Sequence, residues 1–117
     1  MIRLVTLISI ALLCVFAEEL YSDKYDYIDM KEILKNHKLR VQYYQCVMET
    51  GPCLTEDAKF IKEISSEAFQ TKCKKCTEKQ KKMLDIIVDW YTQNEPELWQ
   101  KFVKKSLEDM KKKNAGQ

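Results

Sequence analysis

The chain of 117 residues holds two glycines, Gly51 and Gly116, and two prolines, Pro52 and Pro96. Sheets need frequent tight turns. Those turns draw on glycine, proline, asparagine and aspartate for backbone conformations that other residues resist. So few breakers cannot punctuate a sheet domain of this length. They suit a handful of helices, each needing a stop only every ten to twenty residues or so. An all-α fold is expected.

The helical stripes can be followed residue by residue. Asp29 and Glu32 have the spacing of a capping box, which predicts a short first helix over about 29–35. Asn36 can cap a second helix with Leu39, Tyr43, Cys46 and Val47 on one face and Tyr44 and Met48 beside it. Gly51-Pro52 stops that helix, glycine tolerating a left-handed cap and proline being unable to continue. Thr55 caps a third helix, with Glu56 and Asp57 at its positive end and Phe60, Ile61, Ile64 and Ala68 in one stripe. After a break near 70–72, a fourth helix is expected over about 74–93, with Met83, Leu84, Ile87, Val88, Trp90 and Tyr91 as its apolar residues. Pro96 opens a fifth, proline being tolerated in a first turn. That helix should lay Leu98, Trp99, Phe102, Val103, Leu107 and Met110 over the core. Residues 18–27 read as an extended arm, and 111–117 as a frayed basic tail. The spacing predicts one compact domain of five to six short helices.

The first seventeen residues stand apart. Arg3 is their one charge, and Leu4 to Phe16 is apolar or hydroxyl-bearing throughout. About 20 apolar residues are needed to span a bilayer, so this run is too short to cross one. It has the form of a signal peptide cleaved after Ala17, before Glu18-Glu19. The expected organisation is therefore a leader at 1–17 and one helical domain at 18–117, exported and extracellular, with no later segment of membrane length. The net charge of +2 is too small for a protein that neutralises many phosphates, so no nucleic-acid partner is expected. Length alone excludes a TIM barrel or a two-domain dinucleotide enzyme.

Cys14 leaves with the leader, and four cysteines remain, spaced Cys46-x6-Cys53-x19-Cys73-x2-Cys76. In an exported chain they imply two disulfides, with three connectivities open. The two local pairs, Cys46–Cys53 and Cys73–Cys76, are favoured: the Gly-Pro turn can fold Cys53 back on Cys46, and Cys73 and Cys76 sit about one helical turn apart. Loops this short contribute only about 2 to 2.5 kcal/mol each, and they leave the helices free to shift relative to one another. A zinc site would want two tight knuckles, and the first pair is spaced too widely for one. A thioredoxin-like redox pair opens a helix after a strand, and no strand precedes Cys73.

Several segments then resemble the insect chemosensory proteins, the OS-D-like or pheromone-binding-like group. They are Lys24-Tyr25-Asp26 with Ile28-Asp29 and Glu32-Ile33-Leu34, the stretch Cys46-Val47-Met48-Glu49-Thr50-Gly51-Pro52-Cys53, the run from Gln70 through Cys73-Lys74-Lys75-Cys76-Thr77-Glu78-Lys79-Gln80 to Lys81, and Pro96-Glu97-Leu98-Trp99. Together they span about residues 21–103. The resemblance implies a six-helix domain with locally paired disulfides. It also implies a hydrophobic channel that takes long-chain fatty acids, alcohols, esters and semiochemicals. Two departures are visible. The middle cysteine spacing is one residue longer than the family's commonest, and the family's C-terminal aromatic stretch is replaced by Lys104–Gln117, which has no aromatic.

Short helices rich in Tyr and Trp pack irregularly, and rigid rings leave gaps that an acyl chain can fill. The candidate ligand-binding residues are Tyr43, Tyr44, Val47, Ile64, Ile87, Trp90, Tyr91, Trp99 and Phe102. Tyr43 lies three residues before the first disulfide cysteine, where the family's channel tyrosine sits, and is the candidate hydroxyl for a ligand head group. Met30, Met48 and Met83 could repack around different guests. His37 is the single histidine and has no nucleophile–base partner in sequence. Asp85 and Asp89 share a helix face and are expected to be solvated. No catalytic residue, metal site or cofactor is expected. The leading reading is a monomeric secreted carrier of small apolar molecules; the alternative is a secreted developmental, regenerative or immune-related factor acting through a protein partner.

Overall fold

In the computed structural model, residues 19–116 are described, and the expected leader at 1–17 lies outside them. Five helices follow in order: α1 Met30–Lys35, α2 His37–Val47, α3 Glu56–Gln70, α4 Glu78–Asn94 and α5 Pro96–Ala115. Their main contacts form a closed cycle. α1 touches α2 and α4, α2 touches α3, α3 touches α5, and α5 returns to α4. A ring of short helices has a centre that no single helix fills.

The predicted caps place most of the starts. Asp29, Asn36 and Thr55 each accept a bond from the backbone N–H three residues on, at 3.3, 3.1 and 3.3 Å. The reciprocal capping box forms elsewhere, at Thr77 and Gln80, with both bonds present at 3.0 and 3.2 Å. α4 therefore begins at Glu78, not near Lys74. The residues between are held in a turn closed by the Cys73–Cys76 disulfide, and Cys46 is joined to Cys53. Both favoured local pairs are thus formed.

Two helix ends have one design. At the end of α2, Thr50 N–H donates to Gln45 and Glu49 N–H to Cys46, at 2.9 and 3.1 Å; after α3, Cys73 N–H donates to Ala68 and Lys72 N–H to Phe69, at 2.7 and 3.2 Å. These are Schellman turns, whose left-handed position is usually glycine. Here the positions are filled by Glu49 at φ 61° and Lys72 at φ 55°. Gly51 was the expected left-handed cap, and its φ is not positive. Its smallness serves another need, since a Cβ there would lie 3.0 Å from Cβ of Gln45. A non-glycine residue in this region costs about 1–2 kcal/mol, partly offset by the larger unfolded-state entropy of glycine. Lys72→Gly is therefore expected to raise stability by about 0.5–1 kcal/mol in urea unfolding with the disulfides intact. A loss of stability would show that the Lys72 side chain contributes more than its backbone costs.

The arm from Tyr21 and the basic tail are both held by contacts that their composition did not suggest. The arm is tied down where Tyr21 N–H donates to Lys75 at 2.8 Å and Gln80 Nε2 donates to Asp26 and to the Ser22 carbonyl, each at 2.9 Å. Thr77 Oγ1 also donates to Asp26, at 2.8 Å. The basic tail is helical to Ala115 instead of frayed. Glu67 on α3 explains both, for it accepts from the Tyr21 hydroxyl at 2.6 Å and from the Lys113 ammonium. The Lys113 ammonium, then the Tyr21 hydroxyl, hold its carboxyl down at about 2, against the upward push of burial. Leu39 and Leu107, expected on the core faces of their helices, are exposed.

Candidate functional site

The centre of the ring is a packed aromatic cluster with a cavity beside it. Met30, Leu34, Tyr91, Trp99 and Phe102 are buried together. Phe69 meets the Trp99 ring edge-on at 5.1 Å, and Trp99 lies 5.3 Å from Phe102 and 6.3 Å from Tyr91. Against this cluster lies a cavity of about 140 Å³ that opens to solvent. All five helices contribute to its wall, together with Tyr25, Asp26 and Ile28 of the arm and the Cys73–Cys76 turn. The wall is almost wholly apolar.

Eight of the nine candidate residues line this cavity: Tyr43, Tyr44, Val47, Ile64, Ile87, Tyr91, Trp99 and Phe102. They divide by what lies behind them. Tyr44, Val47, Ile87, Tyr91, Trp99 and Phe102 also belong to the packed centre, whereas Tyr43 and Ile64 line the cavity outside it. Trp90 is the exception. Its ring does not line the cavity; it meets Tyr91 edge-on at 5.0 Å and carries the Arg40 guanidinium over its face at 4.4 Å. Trp90 and Tyr91 are neighbours about 100° apart on α4, so both cannot face the ring's centre.

The tyrosine hydroxyls are placed differently from one another. Tyr43 donates to Asp57 Oδ2 at 2.9 Å, so a guest's head group would compete with that carboxylate. Its hydroxyl is pushed up to about 12 by burial and then by Asp57. Tyr44 donates to the Leu98 carbonyl at 2.8 Å, which locks α2 to the start of α5. Tyr91 is pushed up to about 12, burial again leading, with the Arg40 charge opposing it.

Sequence reasoning passed over several wall residues. Ile33 and Leu34 of α1, Phe60 and Ile61 of α3, and Leu84 of α4 were read as core or left unassigned, yet all line the cavity, as do Met30 and Met83, which were read as able to repack around a guest. Their helical stripe was visible; that it faced a void was not. Arg40 lines the cavity too, and a charged residue in an apolar stretch carries no such signal by itself. His37 and the pair Asp85 and Asp89 are exposed. Among the described residues, no group of three or more His, Cys, Asp or Glu is arranged to hold a metal ion. None of their helices is long and apolar enough to cross a membrane.

Residues 21–114 match the insect pheromone-binding family A10/OS-D. The chain belongs to that family. A10/OS-D relatives include the Drosophila melanogaster protein named odorant-binding protein A10, 42% identical over 74% of this chain and 56% of the relative. The chain thus spans just over half the length of that protein. Ejaculatory bulb-specific protein 3 of the same fly is 36% identical, over 82% of this chain and 75% of that one. Among A10/OS-D structures, a chemosensory protein in complex with bromo-dodecanol superposes with a TM-score of 0.69 at 42% identity, covering 74% of this chain and 85% of that one. Antennal chemosensory protein A6 from the moth Mamestra brassicae gives 0.63, also at 42% identity, over 74% and 79% of the two chains.

Proposed function

We propose that this A10/OS-D protein is an extracellular carrier that takes long-chain alcohols, acids or esters into the cavity at the centre of its helix ring. The observation that carries the reading is the cavity wall itself, apolar and built from every helix. It is supported by the family, and by the bromo-dodecanol complex of a protein 42% identical to this one. The ligand-binding set is Tyr43, Tyr44, Val47, Ile64, Ile87, Tyr91, Trp99 and Phe102, with export resting on the leader at 1–17.

Magnitudes bear on how such a guest enters. A cavity of about 150 Å³ accepts a single benzene ring, and this one is about 140 Å³. A twelve-carbon chain therefore needs the wall to move. Met30 and Met83 line the cavity and are unbranched, so they can repack at little cost. The disulfides close only local loops and do not tie distant helices together. Burying such a chain is worth on the order of 10 kcal/mol gross, at about 0.8 kcal/mol per CH2. Immobilisation removes several kcal/mol or so, which leaves a dissociation constant around micromolar. Delipidated protein should take up a fluorescent naphthylamine probe saturably and release it to dodecanol at micromolar concentration. Uptake that never saturates would end the carrier reading.

A further inference from the structure

Arg40 is a cation at an apolar cavity with no anionic partner among the described residues. It sits on α2 among the wall residues, and none of the ion pairs among the described residues includes it. Its guanidinium is nonetheless fixed on three sides. Nη1 donates to the Leu34 carbonyl at 2.7 Å, Nη2 lies 2.8 Å from His37 Nδ1, and the plane rests over Trp90 at 4.4 Å. A guanidinium has five N–H donors in a rigid fork, so about three remain without a protein acceptor.

A second polar group lies on the same wall. Tyr91 is buried, lines the same cavity and meets edge-on the Trp90 ring that carries the guanidinium, and its hydroxyl makes no hydrogen bond among the described residues. The other ring tyrosines of α2 differ, since the hydroxyls of Tyr43 and Tyr44 are both engaged by protein acceptors. The wall thus offers spare donors at Arg40 and Tyr91, while Asp26, Ser65, Gln80 and Tyr43, also polar members of it, bring no free cation. Glu95, between α4 and α5, is a carboxylate that acts on Tyr91, and Asp26 is another on the cavity wall; both oppose an anion.

We propose that Arg40, on the cavity wall it shares with Tyr91, is the head-group site of this cavity, and that it makes the protein prefer a carboxylate-bearing chain to an alcohol or ester of the same length. The inference rests on the carrier reading above. A carboxylate accepts two parallel N–H bonds from a guanidinium, which is the strongest neutral-pH pairing the fork can make. An alcohol accepts one bond there but brings no opposite charge, and an ester offers only its neutral carbonyl. Because Leu34, His37 and Trp90 hold the guanidinium before a guest arrives, little further ordering is lost when it binds.

The test compares dodecanoate, dodecanol and methyl dodecanoate in displacing a fluorescent naphthylamine probe from the full mature chain at neutral pH. Wild-type protein should bind dodecanoate about tenfold tighter than dodecanol, and the ratio should narrow as salt rises. Arg40→Met should weaken dodecanoate about tenfold and dodecanol no more than about twofold, and Glu95→Gln should strengthen dodecanoate alone. Arg40→Lys keeps the charge and loses the fork, so it should fall between. Equal affinity for acid and alcohol in the wild type overturns the proposal without needing any variant to fold. So does an equal loss of both in Arg40→Met. Failure of all three ligands and of the probe would instead end the carrier reading, a different and distinguishable result.

Discussion

Trp99→Ala is expected to lower the melting temperature by about 12–40 °C, read by circular dichroism with both disulfides intact. Trp99 is buried, and its ring is the common neighbour of Phe69, Phe102 and Tyr91. Removing a large buried aromatic costs about 3–5 kcal/mol, because the transfer energy is lost and the space is only partly refilled. In a domain near one hundred residues each kcal/mol moves the midpoint by about 4–8 °C. Trp99 also lines the cavity, so there is a rival expectation. Were the ring only a wall over empty space, little packing would be lost and the midpoint would move by less than about 5 °C.

Ile64→Trp is expected to do the opposite: binding of a dodecanol-sized guest falls at least about tenfold, while the midpoint stays within a few degrees of wild type or so. Ile64 lines the cavity outside the packed centre, so a larger side chain there grows into a void. An indole is somewhat larger than the benzene that a cavity of about this volume accepts, so it leaves little room for a guest. Undiminished affinity would place the guest elsewhere on the molecule. A large drop in stability would mean that the ring had been driven into the packed cluster. The same variant separates the carrier from a factor that acts through its surface, since only the former depends on that space.

Local physics was legible in the sequence wherever one residue type answered one local need. Asp29, Asn36 and Thr55 cap helices because a short side-chain oxygen reaches a free N–H three residues on. The scarcity of glycine and proline excluded sheets, and short spacings favoured the local disulfides. Misreadings arose where a local signal was weighed without its neighbours. Gly51 looked like a left-handed cap, but the turn closes at Glu49, two residues earlier. The tail looked frayed because the sequence alone does not bring Lys113 to Glu67, 46 positions away.

Amphipathic stripes, caps and cysteine spacing, all set by contacts within a few residues, were enough to determine an all-helical domain with local clips and a set of large apolar faces. They could not determine which members of those faces meet one another and which meet empty space. Ile61 packs on the centre, whereas Ile64 lines the cavity outside it; Tyr91 lines the cavity, whereas Trp90 does not and carries a guanidinium on its face. Closure of five helices into a ring decides these matters, because a void belongs to no single helix and appears only where all of them fail to fill the middle.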